Sequence, residues 1–228
     1  MTEGVTLAAE KIGQIGSLPI TNSLLTTWLV TFILIAFAAI ATRKVSPIPS
    51  SIQNFAEFAI ETLKNLVESV AGEKTKVFFP IIASFFFFII VGNYLGLLPG
   101  VGTIGFYEVR EGHKVFVPLL RSMNSDLNTT LALALVSVIT THFFAIKYLG
   151  FWEYLKKWFP LHPIMLFVGL IEIVGEFTKV ISLSFRLFGN IYAGETVLTT
   201  ASSKLFAFIV PIPFLALEII VGFVQALV

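Results

Sequence analysis

There is no cysteine in this chain, which excludes disulfides and thiolate metal sites at once. Charge is nearly as scarce: charged residues fill 13% of the 228 positions, against roughly a quarter in a soluble globular domain. A soluble fold of this length buries a core easily, but it cannot clothe the remaining surface with so few charges. The 15 basic and 14 acidic residues nearly cancel, so no broad basic field addresses nucleic acid. Residues 1–23 lack the ordered basic, apolar and small-residue regions of a removable signal peptide, and none is expected. Gly189-Asn190 and Gly194 are not followed by Lys-Ser/Thr, so no phosphate loop is present and nucleotide chemistry belongs to other chains. His113, His142 and His162 lie in separate regions with no acidic or histidine neighbour at ligand spacing. Neither a metal nor a cofactor is expected.

What the chain does have is apolar length. Hydrophobic residues make up 56% of it, the mean hydropathy is +0.90, and both are concentrated in long runs. A spanning helix needs about 20 such residues. Five segments qualify: 24–41, stopped by Arg43-Lys44 and the Pro47/Pro49 pair; 77–98, closed by Pro99-Gly100; 127–149; 163–198; and 205–228. The fourth would reach roughly 54 Å as a helix, nearly twice the hydrocarbon depth. With no proline from Leu170 to Phe188, it is expected as one strongly tilted helix rather than two upright spans. The fifth stops among apolar residues at Val228, as a chain with a missing tail would.

Between the first two spans, 47–72 reads differently. Ile52, Phe55, Ala59, Leu63, Leu66 and Val70 recur at helical spacing, with Glu57, Glu61, Lys64, Asn65 and Glu68 between them. This helix is too polar to span; it suits the membrane interface, and docking on a partner is the other reading. The four-phenylalanine run Phe85–Phe88 reads as packing and lipid-facing surface, and Asn93 as a residue that joins helices. The expected architecture is therefore a single all-α membrane domain over 1–228. It has five transmembrane helices, an interfacial amphipathic helix, an N-terminal extramembrane segment at 1–23, and a hairpin of the long fourth helix with the fifth. Lys64, Lys74, Lys76, Lys147, Lys156 and Lys157, with Arg43-Lys44, weight one side against Lys11, Arg110, Lys114, Arg121 and Lys204. The basic bias places the N-terminus outside and the C-terminus inside.

The chemically informative residues are the charges inside the apolar segments, each costing about 2.5–3.5 kcal/mol at mid-bilayer on insertion scales. At 100° per residue, Glu172, Glu176, Lys179, Leu183, Arg186 and Asn190 share one narrow stripe of the fourth segment. Glu176 and Lys179, at i and i+3, can neutralise each other. Arg186 has no acidic residue three or four positions away and cannot shed its proton, so it needs an anion from another helix or another chain. Glu218 and Gln225 share a face of the fifth segment. A hairpin turning near residue 205 sets Arg186 against Gln225 at one depth and Glu195 near Glu218 at another. Two close carboxylates share protons rather than both ionise, which is the chemistry of a proton relay.

Here the residues resemble a family. The run SLSFRLFGNIYAGE, Ser182–Glu195, is similar to the signature of ATP synthase subunit a, and it is specific to that family. The stretch 118–135, PLLRSMNSDLNTTLALAL, the Glu172…Lys179…Ser182 spacing and the Glu218…Gln225 pair fit as well. The resemblance covers most of the chain beyond about residue 24.

The resemblance implies roles. Arg186 corresponds to the arginine that faces the ionisable carboxylate of each rotor c-subunit, forces proton release there and blocks a leak between two half-channels. Glu195, Glu218, Asn190 and Gln225 match positions lining the outer half-channel and supporting the arginine; histidine occurs in the family where this chain has Glu218. Glu172 and Glu176 are candidates for the inner half-channel, Glu176 being the weaker match. Asp126 at the rim of the third span is either a proton funnel or the N-terminal cap of that helix. The implied protein is no enzyme in itself. It is a proton-channel subunit in a bacterial plasma (inner) membrane, with the c-subunit ring, the subunit b peripheral stalk, other ATP synthase subunits, lipid and translocated protons as partners. A secondary transporter or ion channel is the other reading of buried charges, but transporters often carry internal repeats and none is found between the halves. A scaffold with structural ion pairs leaves Arg186 unexplained.

Overall fold

The computed structural model describes residues 8–43, 45–98, 100–110, 113–159, 163–204 and 211–228. Outside them lie the start of the N-terminal segment, the stops at Lys44 and Pro99, His162, and the opening residues 205–210 of the fifth apolar segment. The chain runs β1 (Lys11–Ile15), β2 (Leu18–Thr21), α1 (Asn22–Thr42), α2 (Ser51–Ala71), α3 (Thr75–Leu97), β3 (Gly105–Arg110), β4 (His113–Pro118), α4 (Leu127–Leu149), α5 (Phe151–Trp158), α6 (Pro163–Lys204) and α7 (Pro211–Leu227). A short 3-10 turn, Met123–Ser125, precedes α4.

This is an all-α membrane protein in its architecture. Among the described residues, Asn22–Thr42, Ser51–Leu97 and Leu127–Leu149 are long and apolar enough to cross a membrane, and Pro211–Leu227 is a shorter apolar helix. α6 is one unbroken helix of 42 residues that passes Gly175 without interruption, roughly 63 Å by helical rise. α4 packs along α6, α7 packs against both α3 and α6, and α1 and α2 lean on α3. Thr130 Oγ1 of α4 meets Ser184 Oγ of α6 at 3.2 Å in the buried seam between them.

Two details depart from a purely helical reading. Each of the segments 11–21 and 105–118 forms a short antiparallel hairpin, β1–β2 and β3–β4. Strands of four to six residues flanked by glycine leave too short an alternation to stand out among long apolar runs. The second concerns α2. Ser50 caps its start, and Gly72, at φ +54°, ends it where a side chain would be strained. The face it turns to the protein is Gln53, Ala56, Leu63 and Val67, while Ile52, Phe55, Leu66 and Val70 are exposed. A helix that packs on one face and leaves apolar side chains uncovered on another suits a surface bounded by lipid.

Candidate functional site

At the end of the bundle where α1 and α4 begin, the chain from Arg121 to Asp126 lies outside the α-helices yet is buried among α1, α3, α4 and α6. Irregular backbone between spanning helices is tolerated only where protein groups satisfy it, and here several such partners are supplied. Arg121 N donates to Thr26 Oγ1 at 3.3 Å, and Asn22 Nδ2 donates to the Pro118 carbonyl at 3.3 Å. Gly92 and Gly96 of α3 make the room: a Cβ at the first would strike Met123, and at the second Ser122. Asn124 Nδ2 donates to Asn93 Oδ1 at 2.6 Å, and Asn93 Nδ2 to the Gly222 carbonyl at 3.0 Å, tying the turn to α3 and α7. Asn93 thus joins helices, as its place in an apolar run suggests.

Asp126 ends this segment. Its Oδ1 accepts from Asn128 N at 3.1 Å, the geometry of an N-cap, and its Oδ2 accepts from Ser23 Oγ at 2.7 Å. Of the two readings open for this residue, the structure displays the cap.

Beside the turn lies a cluster of opposed charges. Arg121, only 3% exposed, donates from Nε to Ser125 Oγ at 3.0 Å and from Nη1 to the Ala8 carbonyl at 3.0 Å. Its Nε is 3.7 Å from Glu195 Oε2, and its guanidinium lies 5.9 Å from the Tyr192 ring centroid. Glu218 of α7, 4% exposed, lays its carboxylate directly on Gly194. Any side chain at Gly194 would collide with it, so this glycine is what lets α6 and α7 approach. Glu195 and Glu218 are thereby brought to one place, as the hairpin spacing requires.

Toward the other end, α3, α4, α6 and α7 border a cleft of about 600 Å³. Arg186 and Gln225 both line it, with Phe85, Ile89 and Leu133 among the apolar walls and the Thr130 and Ser137 hydroxyls along α4. Among the described residues Arg186 makes no ion pair, although it is exposed and its charge is permanent. Asn190, one turn along α6, is exposed as well.

A second cluster forms where α4, α5 and α6 converge. Glu176 holds Lys179 Nζ at 2.8 and 2.9 Å, and its Oε2 is 3.7 Å from His142 Nε2. Tyr154 Oη and His142 Nδ1 are 2.7 Å apart, and Lys157 Nζ lies 3.3 Å from Glu172 Oε2. Burial first, then the Glu176 charge, raises the Tyr154 phenol above its ordinary value, so it remains a proton donor at neutral pH. Among the described residues no three His, Asp or Glu side chains form a metal-binding group.

Several participants are invisible to spacing arguments. Arg121 reads as a loop cation but is buried, because its partners lie 113 and 95 residues away in sequence. His142 has no acidic neighbour in sequence; Glu176 comes to it from another helix. The sequence signal that was available is the polar run Arg121-Ser122-Met123-Asn124-Ser125-Asp126, directly abutting a spanning segment. The whole arrangement is a single long helix along which two separated groups of protonatable side chains gather, with a guanidinium between them that makes no ion pair among the described residues. By helical rise, Arg186 stands roughly 14 Å from Glu195 and roughly 15 Å from Glu176 along the axis.

Comparison with known proteins places similar chains beside this one. The family model described as ATP synthase A chain matches residues 24–228. The ATP synthase subunit a of Trichlorobacter lovleyi is 36% identical over 211 residues, covering 91% of this chain and 81% of that protein. That of Geobacter sulfurreducens is 36% identical over 206 residues, covering 89% and 80%. That of Gloeobacter violaceus is 35% identical over 229 residues, covering 97% and 87%.

Proposed function

The chain belongs to the ATP synthase A chain family, and from that premise we propose that it carries the proton path between membrane and rotor, with Arg186 as the fixed charge facing a carboxylate on the c-subunit ring. Membership makes it an integral membrane component whose partners are other ATP synthase subunits; the c-ring and the subunit b stalk are the proposed contacts. The observation that carries the reading is Arg186, without an ion-pair partner among the described residues and exposed on a continuous helix between two groups of protonatable side chains. An uncompensated guanidinium in a low-dielectric region is costly, so an anion supplied by a moving partner accounts for its retention. A rotor carboxylate beside it stays ionised; once carried away into lipid, it must take up a proton.

Glu195 and Glu218, supported by Gln225 and Asn190, form the outer half-channel in this reading. Glu172 and Glu176 form the inner one, reached past Lys157 and His142. Asp126 anchors the third span to the first rather than passing protons. The N-terminus lies outside, the C-terminus inside, and α1, α3, α4, α6 and α7 cross a bacterial plasma membrane while α2 rests on its inner surface.

Because the chain has no cysteine, single cysteines report cleanly. Leu183→Cys and Asn190→Cys share the Arg186 stripe; Phe177→Cys does not. In the assembled complex the first two should form disulfides with a cysteine beside the rotor carboxylate, and the third should not. Equal cross-linking from all three, or from none, contradicts the rotor-facing assignment.

A further inference from the structure

The proton-carrying role proposed for Glu195 and Glu218 leaves Arg121 unused, and the inference here rests on that reading. Two carboxylates meet at Gly194, and among the described residues only one pairs with a cation: Arg121 Nε is 3.7 Å from Glu195 Oε2. The guanidinium is held on three sides, by Ser125 Oγ, by the Ala8 carbonyl and by the face of Tyr192. It is nearly fully buried, and its charge is permanent. Glu218 is as deeply buried and, among the described residues, makes no ion pair.

We propose that Arg121 is the positioning residue of the outer carboxylate pair: it neutralises Glu195 permanently, leaving Glu218 as the single side chain that takes up and releases the proton. The charge count supports it. One buried arginine balances one carboxylate; a second carboxylate, packed against the Gly194 that precedes Glu195, is neutral unless another cation arrives, because like charges in such a site do not both ionise. Among the described residues, the charged and titratable groups beside the pair are Arg121 from the buried turn and Tyr192 from α6, whose ring faces the guanidinium; Tyr94 of α3 is engaged elsewhere, its hydroxyl donating to the Ile219 carbonyl at 3.3 Å. Asp126 nearby is already engaged by Ser23. The inference also gives the N-terminal segment a task. The Ala8 carbonyl, just ahead of the β1–β2 hairpin, holds Nη1 and fixes where the guanidinium points, and the hairpin is itself pinned to α1 by Asn22 N donating to the Glu10 carbonyl at 3.0 Å.

The test is ATP-driven proton pumping in membrane vesicles carrying the whole complex, with assembly checked by co-purification of the rotor ring. Arg121→Gln leaves two carboxylates without a cation, and Glu195→Gln leaves the arginine free to capture Glu218. Each single change should slow pumping about tenfold or more, and the neutral pair Arg121→Gln/Glu195→Gln should pump several-fold faster than either, as coupled sites do. Arg121→Lys, which keeps the charge, should retain most of the rate, and Arg121→Gln should move the pH profile of pumping as well as its height. A double variant no faster than the slower single, or an Arg121→Gln complex with the native rate and profile, overturns the inference. Glu218→Gln separates this from the underlying reading. If it abolishes pumping while the charge-balanced pair gains nothing, only the role of Arg121 fails; if it pumps normally, the proton path itself is misassigned.

Discussion

Asp126 shows how a single side chain decides between two chemistries. Both its oxygens are occupied, one by the start of α4 and one by Ser23 of α1, so its carboxylate clamps two helices together. Asp126→Asn preserves a capping oxygen and should leave proton pumping close to native. Asp126→Ala removes the cap and strands the Ser23 hydroxyl, at a cost of about 1–2 kcal/mol, and should lower the thermal unfolding midpoint of the purified complex. Native stability in the alanine variant, or lost pumping in the asparagine variant, would return Asp126 to the proton path. Gly194 is the second such position. Its missing side chain is what admits the Glu218 carboxylate, so Gly194→Ala should push α7 off α6 and depress pumping sharply in vesicles while the subunit still inserts. A freely pumping Gly194→Ala complex would mean that the two carboxylates do not meet as described.

At the scale of elements, the long helices were legible because apolar runs bounded by charge or proline have few other outcomes in a chain so poor in charge. The unbroken α6 follows from the absence of proline in its middle. Spacing also grouped residues that the fold brings together: Glu176 with Lys179 by i, i+3, Arg186 with Gln225 in one cleft, Glu195 with Glu218 across Gly194. The hairpins β1–β2 and β3–β4 and the buried turn before α4 were not legible. The hairpins pair sequence neighbours through strands too short for an alternation to show, while the turn is held by contacts between distant parts of the chain, such as Ala8 with Arg121, which no local periodicity records. The same limit hid the approach of His142 to Glu176. For α2, the exposed Ile52, Phe55, Leu66 and Val70 lie beside a packed face of Gln53, Ala56, Leu63 and Val67, which fits a helix resting on lipid. Glu61→Cys should accordingly react with a membrane-impermeant thiol reagent added from the inner side. Labelling only from the outer side would invert the topology.

At the scale of the whole molecule, two groups of protonatable side chains sit at different depths on one helix, and the permanent charge of Arg186 stands between them with no partner among the described residues. A continuous proton wire would need no such barrier; a rotor that must exchange protons on one side at a time does. The most direct measurement uses vesicles carrying Arg186→Ala in the whole complex. ATP-driven acidification is recorded first, and passive proton flow after the catalytic sector is stripped away. The account predicts an assembled complex with no acidification and a membrane sector more permeable to protons than the native one. Arg186→Lys should also fail largely in coupling, since it keeps the charge but loses the planar fork. Normal acidification by the alanine variant would contradict the rotor-facing role of Arg186, and with it the proposed path.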